Sequence, residues 1–155
     1  MKPRRQLRFE PVGQYDLENL VTIRIESMRE SLERIGRFDP ARARERFSSS
    51  FIPQQTRYIV ADTERIGFLV TRPQPNWLLL DHLYIKPDWQ NQGIGATVLE
   101  HVFAEAATLQ LPVRVGALRD SDSNRFYIRH GFTLVESTEF DNYYVRPADS
   151  RTCRR

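Results

Sequence analysis

The chain has 155 residues, 40% of them hydrophobic and 28% charged, which suits one soluble globular domain that buries most of its unfolded surface. Its net charge of +3 is gathered largely at Arg4-Arg5 and Arg151 through Arg155, so it points to solvated tails and gives no reason to expect a nucleic-acid partner. No run approaches the ~18 apolar residues of a membrane span, no apolar core follows the N-terminal charges, and the one cysteine, Cys153, cannot close an internal disulfide; a cytoplasmic protein with no membrane partner is expected. Residues 6–11 alternate, with Leu7 and Phe9 on one face, and predict a first strand. From Asp16 as N-cap, Leu17, Leu20, Val21, Ile25, Met28, Leu32 and Ile35 form a helical stripe ended by Gly36. Asp39 caps and Pro40 opens a second helix, which runs to about Phe51 and exposes Arg42, Arg44 and Arg46. Residues 57–62 and 66–72 are β-rich runs around Thr63-Glu64-Arg65, predicting an antiparallel hairpin.

The most informative stretch comes next. The apolar run 77–85, interrupted by Asp81 and His82, predicts a strand that Pro87 stops; Gln90-Asn91-Gln92-Gly93-Ile94-Gly95-Ala96 follows as a glycine loop. Val98, Leu99, Val102, Phe103, Ala106 and Leu109 then recur at helical spacing and mark one apolar face. A loop with two glycines opening a helix leaves backbone N–H groups unpaired and admits a ligand to the main chain, which suits a phosphate. The plainer reading is a tight strand-to-helix turn. The third glycine of a dinucleotide loop and the Gly-Lys-Ser/Thr of a P-loop are both missing. Beyond lie a strand at 113–118, a helix from the caps at 120–123 to His130 with Gly131 behind it, and a strand pair at 132–137 and 143–146 around residues 139–142. Pro147 onward reads as a polar tail.

Gln90-x-x-Gly93-x-Gly95, after a strand and before a helix, resembles the acyl-CoA pyrophosphate loop of the GNAT superfamily of N-acetyltransferases. Asn124-Arg125-Phe126-Tyr127-Ile128-Arg129-His130-Gly131-Phe132 is similar to that family's aromatic-Tyr-x-x-x-Gly-Phe segment. The resemblance covers residues 6–146 and implies a single-domain α/β fold over 1–155. The expected order is β-α-α-β-β-β-α-β-α-β-β, in a mixed, mostly antiparallel sheet of about seven strands with helices on both faces.

It also implies acetyl transfer from acetyl-CoA to a primary amine of a small molecule or peptide, by direct attack through a tetrahedral intermediate. Backbone groups of Leu83, Tyr84 and Ile85 would hold the pantetheine arm as an added strand and stabilise the oxyanion, while residues 90–96 would hold the pyrophosphate. Gln90 stands where the family often has Arg. Tyr127 matches the acid that protonates the leaving thiolate. Asp120 occupies a frequent asparagine position, with Asn124 as its substitute at the pantetheine.

For the base that relieves the amine of its proton, Asp81 is the first candidate, because it breaks an apolar strand on the face of Leu83; His82 is second, on the opposite face. The alternative for Asp81 is a strand aspartate paired with an arginine. Glu26, Met28, Arg29, Tyr143 and Tyr144 are acceptor-site candidates by resemblance. No His, Cys and acidic residues have metal-ligand spacing, so no metal is expected, and a homodimer stays open. A non-catalytic acyl-CoA-binding module and a basic nucleic-acid-binding domain are the rival functions; the second would need a basic, aromatic patch in the folded body.

Overall fold

Among the described residues, seven strands and four α-helices follow in the order β1 (Leu7–Pro11), α1 (Leu17–Arg34), α2 (Pro40–Ser49), β2 (Thr56–Ala61), β3 (Glu64–Pro73), β4 (Leu78–Ile85), α3 (Ile94–Leu109), β5 (Val113–Leu118), α4 (Ser123–Arg129), β6 (Thr133–Ser137) and β7 (Asp141–Arg146). This is the predicted order. The structure, a computed structural model, describes residues 6–34 and 36–148. Ile35 of the predicted stripe, Arg4-Arg5, Cys153 and the arginines of 151–155 lie outside the described residues. The strands form one mixed sheet, β1-β2-β3-β4-β5-β7-β6, with β4 and β5 parallel. By contact density the chain divides into two units, Met1–Val70 with His82–Gly95, and Thr71–Asp81 with Ala96–Arg155.

In the first unit β1 pairs antiparallel with β2, and β2 with β3. The hairpin between β2 and β3 is tighter than the predicted three-residue connection: it turns at Asp62-Thr63, where Asp62 takes φ 56°. Aspartate tolerates that left-handed conformation because its short polar side chain bonds locally. Leu20, Val21 and Ile23 of α1 are buried with Val12, Phe47, Tyr58, Val60, Phe68 and Val70 in one core cluster.

Asp16 does not cap α1 as expected. It closes a 3₁₀ turn over Gln14–Asp16 and accepts from the Gly13 N–H at 2.9 Å. The C-terminus follows expectation: Gly36 takes φ 72°, and Arg37 N–H reaches Leu32 O at 2.8 Å, the bond pattern that a left-handed glycine permits. Asp39 caps α2 by accepting from Arg42 N–H at 3.1 Å, with Pro40 at the first helical position. Arg44, on the exposed face of α2, hydrogen-bonds Glu18 of α1 and holds its carboxyl below the usual range.

In the second unit Leu78–Leu80 pair with Val113–Val115, β5 pairs antiparallel with β7, and β7 with β6. Leu78, Leu80, Val113, Val115 and Ala117 are buried, as are Val98, Leu99, Val102 and Ala106 of α3. Leu109, expected on the same face, is exposed: it is the last helical residue, and Gln110 at φ 57° turns the chain away. The β7 strand starts at Asp141, two residues earlier than expected. Thr138 N–H donates to Asp141 O at 2.8 Å and Asp141 N–H to Thr138 Oγ1 at 3.1 Å, closing the turn over a shorter connection.

Candidate functional site

Within β4 the upstream residues Leu78 and Leu80 are buried, whereas all four residues from His82 to Ile85 keep part of their surface open. A short turn at Pro87–Trp89 follows, pinned by Trp89 Nε1–H donating to Glu64 at 2.9 Å. Gln90, Asn91, Gln92 and Gly93 are exposed, and α3 begins at Ile94, which is buried and anchors the helix start. Asn91 at φ 63° and Gly93 at φ 80° bend the loop through left-handed conformations, for which Asn and Gly are the least strained residues.

The glutamine side chains are drawn back onto the preceding segment: Gln90 Nε2–H donates to Ile85 O at 2.8 Å and Gln92 Nε2–H to Asp88 O at 3.1 Å. Among the described residues, beyond its chain neighbours no atom lies within 4 Å of where a Gly93 side chain would start. The first turn of α3, Ile94-Gly95-Ala96-Thr97, carries no acidic residue. The leading N–H groups of an α-helix find no acceptor in the helix's own ladder, and the macrodipole adds partial positive charge there. An open glycine loop, a helix N-terminus and the absence of an acidic residue from the first turn are features that favour an anion over a cation at such a position.

The backbone beside the loop is fixed by a residue the sequence reading passed over. A Cβ on Gly67 of β3 would overlap the carbonyl oxygen of Tyr84, so only glycine lets β3 approach β4 at this point. Lys86 N–H donating to Ile66 O at 2.8 Å continues the contact. A glycine inside an apolar strand was the available signal, since such a glycine marks a bulge or a close approach of backbone.

His82 and Tyr84 share one face of β4. His82 Nδ1 lies 3.1 Å from Tyr84 Oη, Arg24 Nε–H of α1 donates to the same oxygen at 3.2 Å, and Arg24 NH1 donates to Ala43 O at 2.6 Å. The His82 ring meets Phe47 edge-on at 5.2 Å, and the Tyr84 ring lies 5.3 Å from Phe68. Tyr58 is fully buried; its hydroxyl donates to Asp16 at 3.1 Å and accepts from Asn19 at 2.9 Å. Burial pushes its pKa up, and Asp16 adds to the shift, so Tyr58 stays a neutral core phenol.

Asp81 Oδ2 accepts from Arg72 Nε–H at 2.8 Å, with side-chain exposures of 35% and 12%. This is the arginine-paired arrangement given above as the alternative to Asp81 as the base. We expect Asp81→Asn to lower stability by about 1 kcal/mol, a partly screened pair being modest, and to leave the pH dependence of turnover unchanged in shape. A loss of turnover that is largest near neutral pH and shrinks as the pH rises would return the proton to Asp81.

Tyr127 of α4 is 6% exposed and wedged among Phe126, Phe132 and Tyr144, with ring centroids at 5.3, 5.3 and 6.4 Å. Gly131 at φ 91° ends α4, and Phe132 N–H donates to Tyr127 O at 3.1 Å, so the aromatic-Tyr-x-x-x-Gly-Phe segment folds as one turn around this tyrosine. Asn124 is committed to the protein: its Nδ2 donates to Leu118 O and Ser121 O at 2.8 and 2.9 Å, and its Oδ1 accepts from Tyr144 Oη and Asn142 Nδ2 at 2.7 and 3.0 Å. These bonds tie the start of α4 to the end of β5 and to β7. Asp120, at the family's frequent asparagine position, is exposed with φ 74°.

Of the acceptor candidates, Tyr144 is 2% exposed and spent on Asn124, while Tyr143, turned the other way by strand alternation, lies under the Arg114 guanidinium at 5.3 Å. Glu26 is exposed and Met28 half-buried; Arg29 pairs with Glu33 and covers the Phe38 ring at 4.9 Å. Among the described residues no group of three His, Cys, Asp or Glu is arranged to hold a metal, and no helix is long and apolar enough to cross a membrane.

Residues 54–134 match a family model described as an acetyltransferase (GNAT) domain. No curated protein sequence matches the chain. Among solved structures, the PaiA N-acetyltransferase of Thermoplasma acidophilum in complex with coenzyme A is similar at 20% identity and a TM-score of 0.78, over 92% of this chain and 99% of that one. An acetyltransferase of Thermus thermophilus gives 20% and 0.74, over 92% and 97%. A GNAT family acetyltransferase of Elizabethkingia anophelis with acetyl-CoA bound gives 16% and 0.64, over 93% and 99%. At these identities the structures speak for the fold, and the matched domain, spanning more than half of the sequence, gives the family: this chain belongs to the GNAT acetyltransferases.

Proposed function

We propose that the protein transfers an acetyl group from acetyl-CoA to a primary amine of a small molecule or peptide. The observation that carries this reading is the loop at residues 90–96, open, left-handed at Asn91 and Gly93, and leading into a helix start that bears no carboxylate. Its amides suit the pyrophosphate of a CoA donor. The donor supplies a thioester, whose carbonyl is open to attack by a neutral amine.

The chain's own residues have three tasks in this scheme. The main chain of Leu83, Tyr84 and Ile85 holds the pantetheine arm by strand addition and donates to the developing oxyanion. Gln90 contributes no charge at the loop; bonded to Ile85 O, it orders the backbone instead. Tyr127, its ring immobilised by three aromatic neighbours, gives its phenolic proton to the departing sulfur.

Calorimetry with CoA tests the loop. Valine at a φ of 80° strains the backbone by roughly 1–2 kcal/mol, so Gly93→Val is expected to raise the Kd for CoA about tenfold or more while the protein stays folded. Wild-type affinity for CoA no better than for a polyphosphate of matched charge would overturn the reading.

A further inference from the structure

The Arg24–Tyr84–His82 cluster serves no purpose in the scheme so far. We propose that it is the proton acceptor for the attacking amine: Tyr84 Oη takes the ammonium proton and passes its own to His82 Nδ1, while Arg24 is the positioning residue. The proposal rests on the acetyltransfer reading, and three features of the first unit support it.

The first is directionality. Arg24 can only donate, so at 3.2 Å it occupies a lone pair of Tyr84 Oη and leaves the single phenolic hydrogen to be directed elsewhere. His82 Nδ1, 3.1 Å away, is a matching acceptor; on this assignment the neutral imidazole carries its proton on Nε2, and its basic nitrogen is joined to Tyr84. The second is placement. The pair stands on the partly open half of β4, where the main chain of Leu83, Tyr84 and Ile85 is assigned to the donor, and Gly67 lets β3 close on Tyr84 there.

The third is charge. The groups that face the pair include Arg24 from α1, the Phe47 ring and the Ala43 carbonyl from α2, and the Phe68 ring from β3. A guanidinium beside the phenol disfavours an ammonium in the same place and favours the neutral amine that attack requires.

The step balances without an added reactant. The amine nitrogen forms the C–N bond and its proton goes to Tyr84 Oη, the Tyr84 proton goes to His82 Nδ1, and the imidazolium returns a proton to solvent; collapse of the tetrahedral intermediate breaks the C–S bond, and the leaving thiolate takes the Tyr127 proton, which solvent replaces.

Two measurements test the cluster. With histidine labelled by ¹⁵N, and three histidines in the chain, the His82 ring is expected as the Nε2–H form with Nδ1 accepting; Tyr84→Phe should remove the hydrogen-bond shift at Nδ1. That reading needs no acceptor or CoA. In kinetics, with an acceptor drawn from an amine panel, His82→Gln and Tyr84→Phe should each lower kcat by roughly 10²- to 10⁴-fold near neutral pH, with unchanged Kd for CoA. The loss should shrink as pH approaches the amine's own pKa. An Nδ1–H His82, or rate losses equal at every pH, would overturn the relay and leave acetyl transfer standing. No transfer by the wild-type protein would overturn both.

Discussion

Tyr127→Phe should lower turnover with acetyl-CoA by roughly 10²- to 10⁴-fold, the usual worth of a positioned acid, with little change in CoA affinity. The substitution keeps the ring, and the ring is what packs against Phe126, Phe132 and Tyr144. Stability should therefore fall only by the worth of about one hydrogen bond, on the order of 1 kcal/mol. Rate and stability separate an acid from a packing residue. A donor with a more acidic leaving thiol needs less protonation and should be less sensitive to the change. Turnover equal to wild type would return Tyr127 to the core.

Gly67→Ala should lower both stability and CoA affinity. The new Cβ would press on the Tyr84 carbonyl, which is main chain and cannot rotate aside, so the strands must part. Overpacking of this kind costs roughly 1–3 kcal/mol, and a chain of this size loses about 2–4 °C of Tm per kcal/mol. The displaced backbone is the one assigned to pantetheine, so CoA affinity should fall together with Tm. Gly93→Val offers the contrast, because open space surrounds that position and only its φ resists substitution. An unchanged Tm and Kd in Gly67→Ala would show that β3 and β4 tolerate the separation.

Much of the fold was legible because the signals were local. Asp39-Pro40 sets a cap and a first turn through bonds within four residues, and Gly36 and Gly131 end helices by taking a φ that other residues resist. The loop at 90–96 could be read for the same reason: its glycines mark backbone geometry directly. What escaped depends on partners distant in sequence. Asn124 looked available to a ligand until β7 supplied Tyr144 and Asn142 to its amide. For Asp81 an arginine partner stood as the alternative, and only the folded sheet names it as Arg72 of the neighbouring strand. Arg24, flanked by Ile23 and Ile25, was hidden in an apolar stripe, and only folding brings it to Tyr84 sixty positions away. Asp16 satisfied the composition of a cap, but its side chain turned back to Gly13 and across to Tyr58.

The central claim is amine-dependent use of acetyl-CoA, and the most direct test is thiol release from acetyl-CoA across a panel of amines, amino acids, polyamines and peptides, with the products weighed by mass spectrometry. The account predicts thiol release that depends on the amine, in equal amount to a product heavier by one acetyl group on nitrogen, and strongly reduced in Tyr127→Phe. CoA binding at the loop accompanied by no amine-dependent release from any member of the panel would contradict it, and would make the protein a CoA-binding module instead.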